Sequence, residues 1–219
     1  MIRPGPKEVL SMEWFSTLSL ALGSAWTSGI NLYATVTVLG LLQKFGMTKL
    51  PGGLEVLDNW WIIGIAGGMY LIEFFADKIP YLDSVWDVVH TFIRVPAGAV
   101  VAYAATNHMD AGVYTIATLL GGGLALSSHG TKAALRMGAN LSPEPVSNWI
   151  LSIVEDIIAF VGSLLAVFAP VLICIVLAIF ILFFLWFAPK AFRAIRRIFN
   201  AVAGFFRGDN FKEVARKAG

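Results

Sequence analysis

Trp149 to Phe187 reads WILSIVEDIIAFVGSLLAVFAPVLICIVLAIFILFFLWF, an apolar run whose only charges are Glu155 and Asp156 and whose one break is Ala169-Pro170. About 20 apolar residues cross a bilayer and a helix rises ~1.5 Å per residue, so this run is too long for one crossing. Its expected form is two helices, Ile150 to Phe168 and Val171 to Phe187, with the proline near the turn. One long kinked helix is the alternative, and it changes the parity of the topology.

The rest of the chain agrees with a membrane setting. Of 219 residues, 58% are hydrophobic and 14% charged, and the mean hydropathy is +0.76. A soluble domain carries roughly 25% charged residues, so water cannot be the main solvent of this surface. The net charge of +2 supports neither a nucleic-acid partner nor an acidic substrate. Cys174, the one cysteine, lies in an apolar run, which excludes a disulfide framework and a thiolate metal site.

Four more segments complete about six spans: Trp14 to Phe45, Trp60 to Ala76, Phe92 to Thr106 and Ala111 to Ser127. With both termini cytoplasmic, Arg3, Lys7, Lys78, Arg94, Lys132, Arg136 and eight tail cations fall inside, and only Lys44 and Lys49 fall outside. Glu8 and Glu13 argue against a secretory signal, whose first segment is basic. After Pro189, Phe192, Ile195, Phe199, Val202 and Phe206 recur at helical spacing beside Arg193, Arg196 and Arg197. That pattern predicts a basic amphipathic helix on an anionic leaflet.

Ala25-Trp26-Thr27-Ser28-Gly29-Ile30-Asn31 aligns with Ala125-Leu126-Ser127-Ser128-His129-Gly130-Thr131, each following a glycine, and Glu73 aligns with Glu155. Three spans per copy make an inverted repeat, with units at 1–107 and 108–188 and a tail at 189–219. The fold class expected is an all-α integral membrane protein, a three-plus-three inverted repeat with interrupted or re-entrant helices at Thr27 to Asn31 and Ser127 to Thr131, closed by the amphipathic tail. Close packing through small residues is the competing use of the same segments.

Carboxylates within hydrocarbon are costly, so Glu73, Glu155 and Asp156 are expected to face an interior, a cavity or a basic partner, and Asp77 lies four residues from Glu73 on one helix, as a proton or cation relay would need. Asp83, Asp87, His90 and Arg94 are spaced four, three and four, which stacks them on one helical face with Val85, Val88, Val89 and Phe92 elsewhere. Pro80 supplies a start and Pro96 a stop or kink. Asp83, Asp87 and His90 have spacing for a divalent ion, yet Arg94 competes for the same carboxylates, and ion pairing is the expected outcome. His129, Lys132 and Arg136 form a basic face of their own, able to pair with the acidic one or to meet a phosphate or carboxylate. No nucleophile with a base and no phosphate loop is present, so neither enzyme chemistry nor a cofactor is expected.

Ser28-Gly29-Ile30-Asn31-Leu32-Tyr33, Glu73 to Pro80, Asp83-Ser84-Val85-Trp86-Asp87, Arg94-Val95-Pro96-Ala97-Gly98 and Ser142 to Trp149 together resemble the bacterial membrane proteins grouped as domain-of-unknown-function family 4126. The likeness runs from about Leu18 to Trp186 and implies a polytopic bacterial membrane protein without a transferable activity. Arg94-x-Pro96-x-Gly98 is also similar to an element of DedA-type lipid-carrier transporters, which keeps a lipid substrate in view.

The function expected is a small inner-membrane transporter. Ser28, Asn31, Ser128 and His129 line its site, and Glu73 and Glu155 take up a proton or cation. Arg94, Lys132 and Arg136 steer an anionic solute or lipid phosphate. The lipid bilayer is the main partner, nucleic acid is not one, and a homo-oligomer is allowed. The alternative is a non-transporting scaffold with structural ion pairs that presents Asp83, Trp86 and Asp87 to a partner protein.

Overall fold

In a computed structural model, residues 6–79, 82–140 and 145–207 are described, and all the regular structure among them is helical. The helices are α1 (Pro6–Lys44), α2 (Trp60–Ala76), α3 (Leu82–Thr106), α4 (Ala111–Asn140), α5 (Pro145–Phe168) and α6 (Pro170–Arg207), with a 3-10 helix at Gly52–Asp58 before α2. Pro80, the expected helix start, lies outside the described residues, as do 141–144 and the end of the tail at 208–219. Stretches of α1, α3, α4, α5 and α6 are each long and apolar enough to cross a membrane, and the 3-10 helix with α2, bent by 77°, makes a sixth candidate. The chain is thus an all-α membrane protein.

Two compact units divide it, Met1–Ala178 and Ile179–Gly219. In the first, α1 is the buried centre: Ala21, Ser24, Ala25, Thr27, Ser28 and Asn31 are all sealed from the surface. Helices α3, α4 and α5 surround it. Small residues make this possible. A Cβ on Gly29 would collide with the Ala125 backbone and the Ser128 hydroxyl, and one on Gly121 with Ala102, so α1, α3 and α4 approach backbone to backbone. Segments of both expected repeat units, as far as Ala178, pack into the first of these compact units.

Helix α1 is broken once, at Asn31, whose φ of −146° and ψ of 98° are extended. Its side-chain Oδ1 accepts from the Ala34 amide at 2.9 Å, so Asn31 is the N-cap of the second half. The two halves head in different directions. Ala25 and Ile30 lie near Gly98 and Arg94 of α3, whereas Gly40 lies against Leu57 and Ile63, and the same 3-10 helix seats Gly52 on Ala104. Beyond Asn31 the chain thus returns toward the end of α3 from which it entered.

Several expectations change. The interruption foreseen at Ser127 to Thr131 is absent: α4 is unbroken across it, because Ser128 bonds carbonyls of Ala125 and Trp26 without leaving helical geometry. Pro96 neither stops nor separates anything, since the acidic face and the Phe92 to Thr106 span form one helix, α3. The two helices expected on either side of Ala169-Pro170 are present as α5 and α6, parted at Ala169. Asp156 meets Asn31, Ser163 meets Thr27, Ala166 and Ile173 both meet Gly23, and Cys174 meets Ser19, so the end of α5 and the start of α6 both lie against α1 on either side of the break at Ala169. The bond from Ala169 N to Leu165 O closes α5 and the bond from Ile173 N to Ala169 O opens α6, so the two helices meet at that residue.

Lys44, at the end of α1, sits over the Trp60 ring at the start of α2, 5.5 Å from its centroid. Arg94, Lys132 and Arg136 are buried and so cast no vote as loop residues. In the second unit α6 passes through Pro189 without a break. There Arg193 Nε donates to the Pro189 carbonyl at 3.1 Å, and Lys190 sits 3.3 Å from the Trp186 ring centroid. Phe192, Phe199, Arg193, Arg196 and Arg197 are exposed, and the side chains of Val202 and Phe206 lie outside the described residues.

Candidate functional site

Helical periodicity sorts α3 sharply: Asp83, Asp87, His90 and Arg94 are buried, while Phe92 is 78% exposed and Val85, Val88 and Val89 are exposed. The buried row faces the row His129, Lys132 and Arg136 of α4, also buried. Glu73 near the end of α2, Asp77 just beyond it and Glu155 of α5 complete a network of three cations and five carboxylates.

Arg94 pairs with Glu73 through Nη2 and turns Nη1 to the Ile30 carbonyl at 3.2 Å and to Asp87 at 3.5 Å. Lys132 Nζ donates to Glu73 Oε1 at 3.1 Å, Asp77 Oδ2 at 3.3 Å and the Ile30 carbonyl at 3.3 Å. Ile30 ends the first half of α1, so its carbonyl has no helical partner and carries the negative end of the helix dipole; two buried cations answer both needs. Arg136 pairs with Glu155, with Asp77 Oδ2 at 2.7 Å and with Asp83 at 3.6 Å, and also donates to the Asp77 carbonyl. Glu73 and Glu155, aligned in the sequence, both face Lys132.

Hydrogen bonding fixes the protonation of one histidine. His129 Nδ1 faces Arg94 Nη1 at 3.3 Å, and since a guanidinium can only donate, that ring nitrogen must accept. His129 is therefore neutral, with its Nε2 proton toward the Asp87 carbonyl and Thr91 Oγ1. His90 Nδ1 donates to the Trp86 carbonyl at 2.8 Å, its ring stacks on Trp86, and its Nε2 meets the Tyr33 hydroxyl at 3.0 Å.

Ser28 and Ser128 belong to the packing seam, bonded to Ala25 and Trp26 carbonyls. Asn31 Nδ2 donates to Asp156 Oδ1 at 3.0 Å, so the residue that breaks α1 also holds a carboxylate of α5. Asp83 and Asp87 are buried, which removes them from the partner surface that the scaffold alternative gave them.

Other members carry weaker sequence signals. Asn140 bonds both Asp83 oxygens at 3.2 Å and is four residues past Arg136, a continuation of the basic row's spacing. Tyr33 and Thr91 join only through contacts between distant helices. The Ile30 carbonyl has no side-chain signal at all.

Two more carboxylates than cations lie in this network, and Glu73, Asp77 and Asp87 each keep one buried oxygen without a hydrogen-bond partner among the described residues. Burial pushes the Asp77 carboxyl up to about 6, with the Glu73 and Glu155 charges adding to the rise and Lys132 and Arg136 opposing it. Among the described residues no group of three acidic, His or Cys side chains suits a metal ion. Each carboxylate of the α3 face meets Arg94, Lys132 or Arg136.

Residues 18–190 match the model of a family described as a domain of unknown function, DUF4126. No curated protein and no solved structure matches the chain.

Proposed function

The chain belongs to the DUF4126 family, whose description assigns no activity, and we propose that it is a small membrane transporter whose buried network moves a solute together with a proton or another small cation. One observation carries this reading: the network is surplus in carboxylates and sits where a membrane helix is interrupted and its freed carbonyl is held by two cations. An interior cluster that only joins helices is best served by balanced charge, because an uncompensated buried charge is strongly unfavourable. Surplus carboxylates are what uptake and release of a cation require.

The cation-coupled part of the expectation has more support than the anionic-substrate part. Arg94, Lys132 and Arg136 already face carboxylates, so a solute carboxylate or a lipid phosphate must displace one of them. The proposal includes a bacterial inner membrane, a cytoplasmic basic tail and no enzyme chemistry.

The test is reconstitution in proteoliposomes with an internal pH dye and an imposed gradient. Ion movement that disappears in Glu73→Gln and Glu155→Gln variants of unchanged folding supports transport; movement unaffected in both removes the coupling role. No movement by folded wild-type protein favours the second reading, a membrane scaffold. The observation behind that reading is the backbone contact of α1 with α4 at Gly29, which joins the two aligned segments without a gap.

A further inference from the structure

Lys132 Nζ has five oxygens around it, supplied by four helices and the residue that follows one of them. They are Glu73 Oε1 at 3.1 Å, the Ile30 carbonyl at 3.3 Å, Asp77 Oδ2 at 3.3 Å, Glu155 Oε2 at 3.4 Å and Asp87 Oδ1 at 3.8 Å. An ammonium group has three protons to donate. Glu73, Asp77 and Ile30 take them, and the remaining two oxygens face the charge without a hydrogen bond. A shell with more oxygens than the occupant has protons is built to surround a spherical charge as well as a directional donor. Glu73, Asp77 and Asp87, each almost fully buried, keep their other oxygen, Oε2, Oδ1 and Oδ2, without a hydrogen-bond partner among the described residues, so these carboxylates are not saturated by this lysine and its two neighbouring arginines.

We propose that the oxygen cage around Lys132 is a site for a small monovalent cation of the potassium or primary-ammonium class, in which the lysine side chain is a tethered and displaceable occupant. This rests on the transporter reading and deepens it by naming the ion class. Lys132 hangs from α4, whereas the cage is assembled from α1, α2, α3 and α5. Withdrawal of one flexible side chain therefore frees the site without dismantling it. A cation that enters is neutralised by the same carboxylates, and the displaced ammonium leaves with its own charge. Occupancy by the tether and by the ion then exclude each other, which supplies an alternation between an empty-handed and a loaded state.

The test uses the full chain in nanodiscs with Lys132→Ala, which removes the tether and leaves every oxygen. Thermal unfolding is followed in chloride salts of choline, sodium, potassium and ethylammonium at equal ionic strength. Lys132→Ala should be least stable in choline, and potassium or ethylammonium at about a hundred times its dissociation constant should raise its midpoint by about 5–10 °C. Wild type should respond much less, because its own lysine competes. If Lys132→Ala does not accumulate as folded protein, Lys132→Ala/Asp77→Asn restores the native formal charge while keeping the five oxygens, and it should show the same selectivity. Equal responses to all four salts, or none, in whichever variant folds, overturns the proposal. A selective response without flux in proteoliposomes keeps the site and ends the transport reading; flux without a selective response does the reverse.

Discussion

Asn31 does two jobs that no other residue type at that position would do together. Its oxygen caps the second half of α1 and its amide holds Asp156. Asn31→Ala loses both, and should lower stability by roughly 1–2 kcal/mol, measured by unfolding in nanodiscs; Asn31→Asp keeps the cap but sets two carboxylates together. Asp77 offers a pH test. Its folded carboxyl is raised from 3.8 to about 6, so the folded state binds the proton more tightly than the unfolded chain. The stabilisation from that proton is fully present below about pH 3.8 and is lost as pH rises through about 6. Unfolding midpoints of wild type between pH 4 and 7 should therefore carry a decline with rising pH that Asp77→Asn lacks. The two curves running parallel would show that Asp77 is not the group responsible.

At the scale of elements, glycine has two meanings in this chain, and substitution separates them. Gly29 has no room for a Cβ, because Ala125 backbone and the Ser128 hydroxyl already occupy the space. Gly130, one helix away on α4, has nothing within 4 Å of where its Cβ would be. Gly29→Ala should therefore destabilise by roughly 1–3 kcal/mol through forced separation of α1 and α4, and Gly130→Ala should be neutral or stabilise by up to about 1 kcal/mol through helix propensity. Equal effects in thermal unfolding would mean that the seam between these helices is softer than its geometry. The periodic rows of α3 and α4 are legible in the amino-acid sequence, since Asp83, Asp87, His90 and Arg94 recur at helical spacing and apolar residues fill the other faces. The unbroken course of α4 is not, because serine and glycine serve close packing and interruption equally well.

Across the whole molecule, the network makes substitutions interdependent. Arg136 meets Glu155, Asp77 and Asp83, which come from three separate parts of the chain. Arg136→Met strands buried carboxylates and should cost roughly 3–5 kcal/mol. Adding Glu155→Met removes one of those stranded charges, so the double variant should lose less than the two single losses combined, with a coupling of about 1–3 kcal/mol. A cycle of four unfolding curves measures it, and simple additivity would mean that the pair is bridged by solvent instead of by direct contact. Mutual dependence of this kind also explains why charge reversal at one member should be poorly tolerated unless a partner is reversed with it.

The order of amino acids is enough to dictate the solvent of this protein, its helical class and the rows of charged residues that must turn inward, because composition and periodicity are local properties that every helix carries with it. Packing in three dimensions selects which row meets which, turns the chain back at Asn31, sets α5 and the start of α6 against α1, and brings one lysine of α4 among oxygens from four other parts of the chain. Those outcomes depend on distances between helices set by glycine contacts, on a backbone carbonyl freed by a break, and on the balance of charges contributed from afar. None of these quantities exists until the helices are packed.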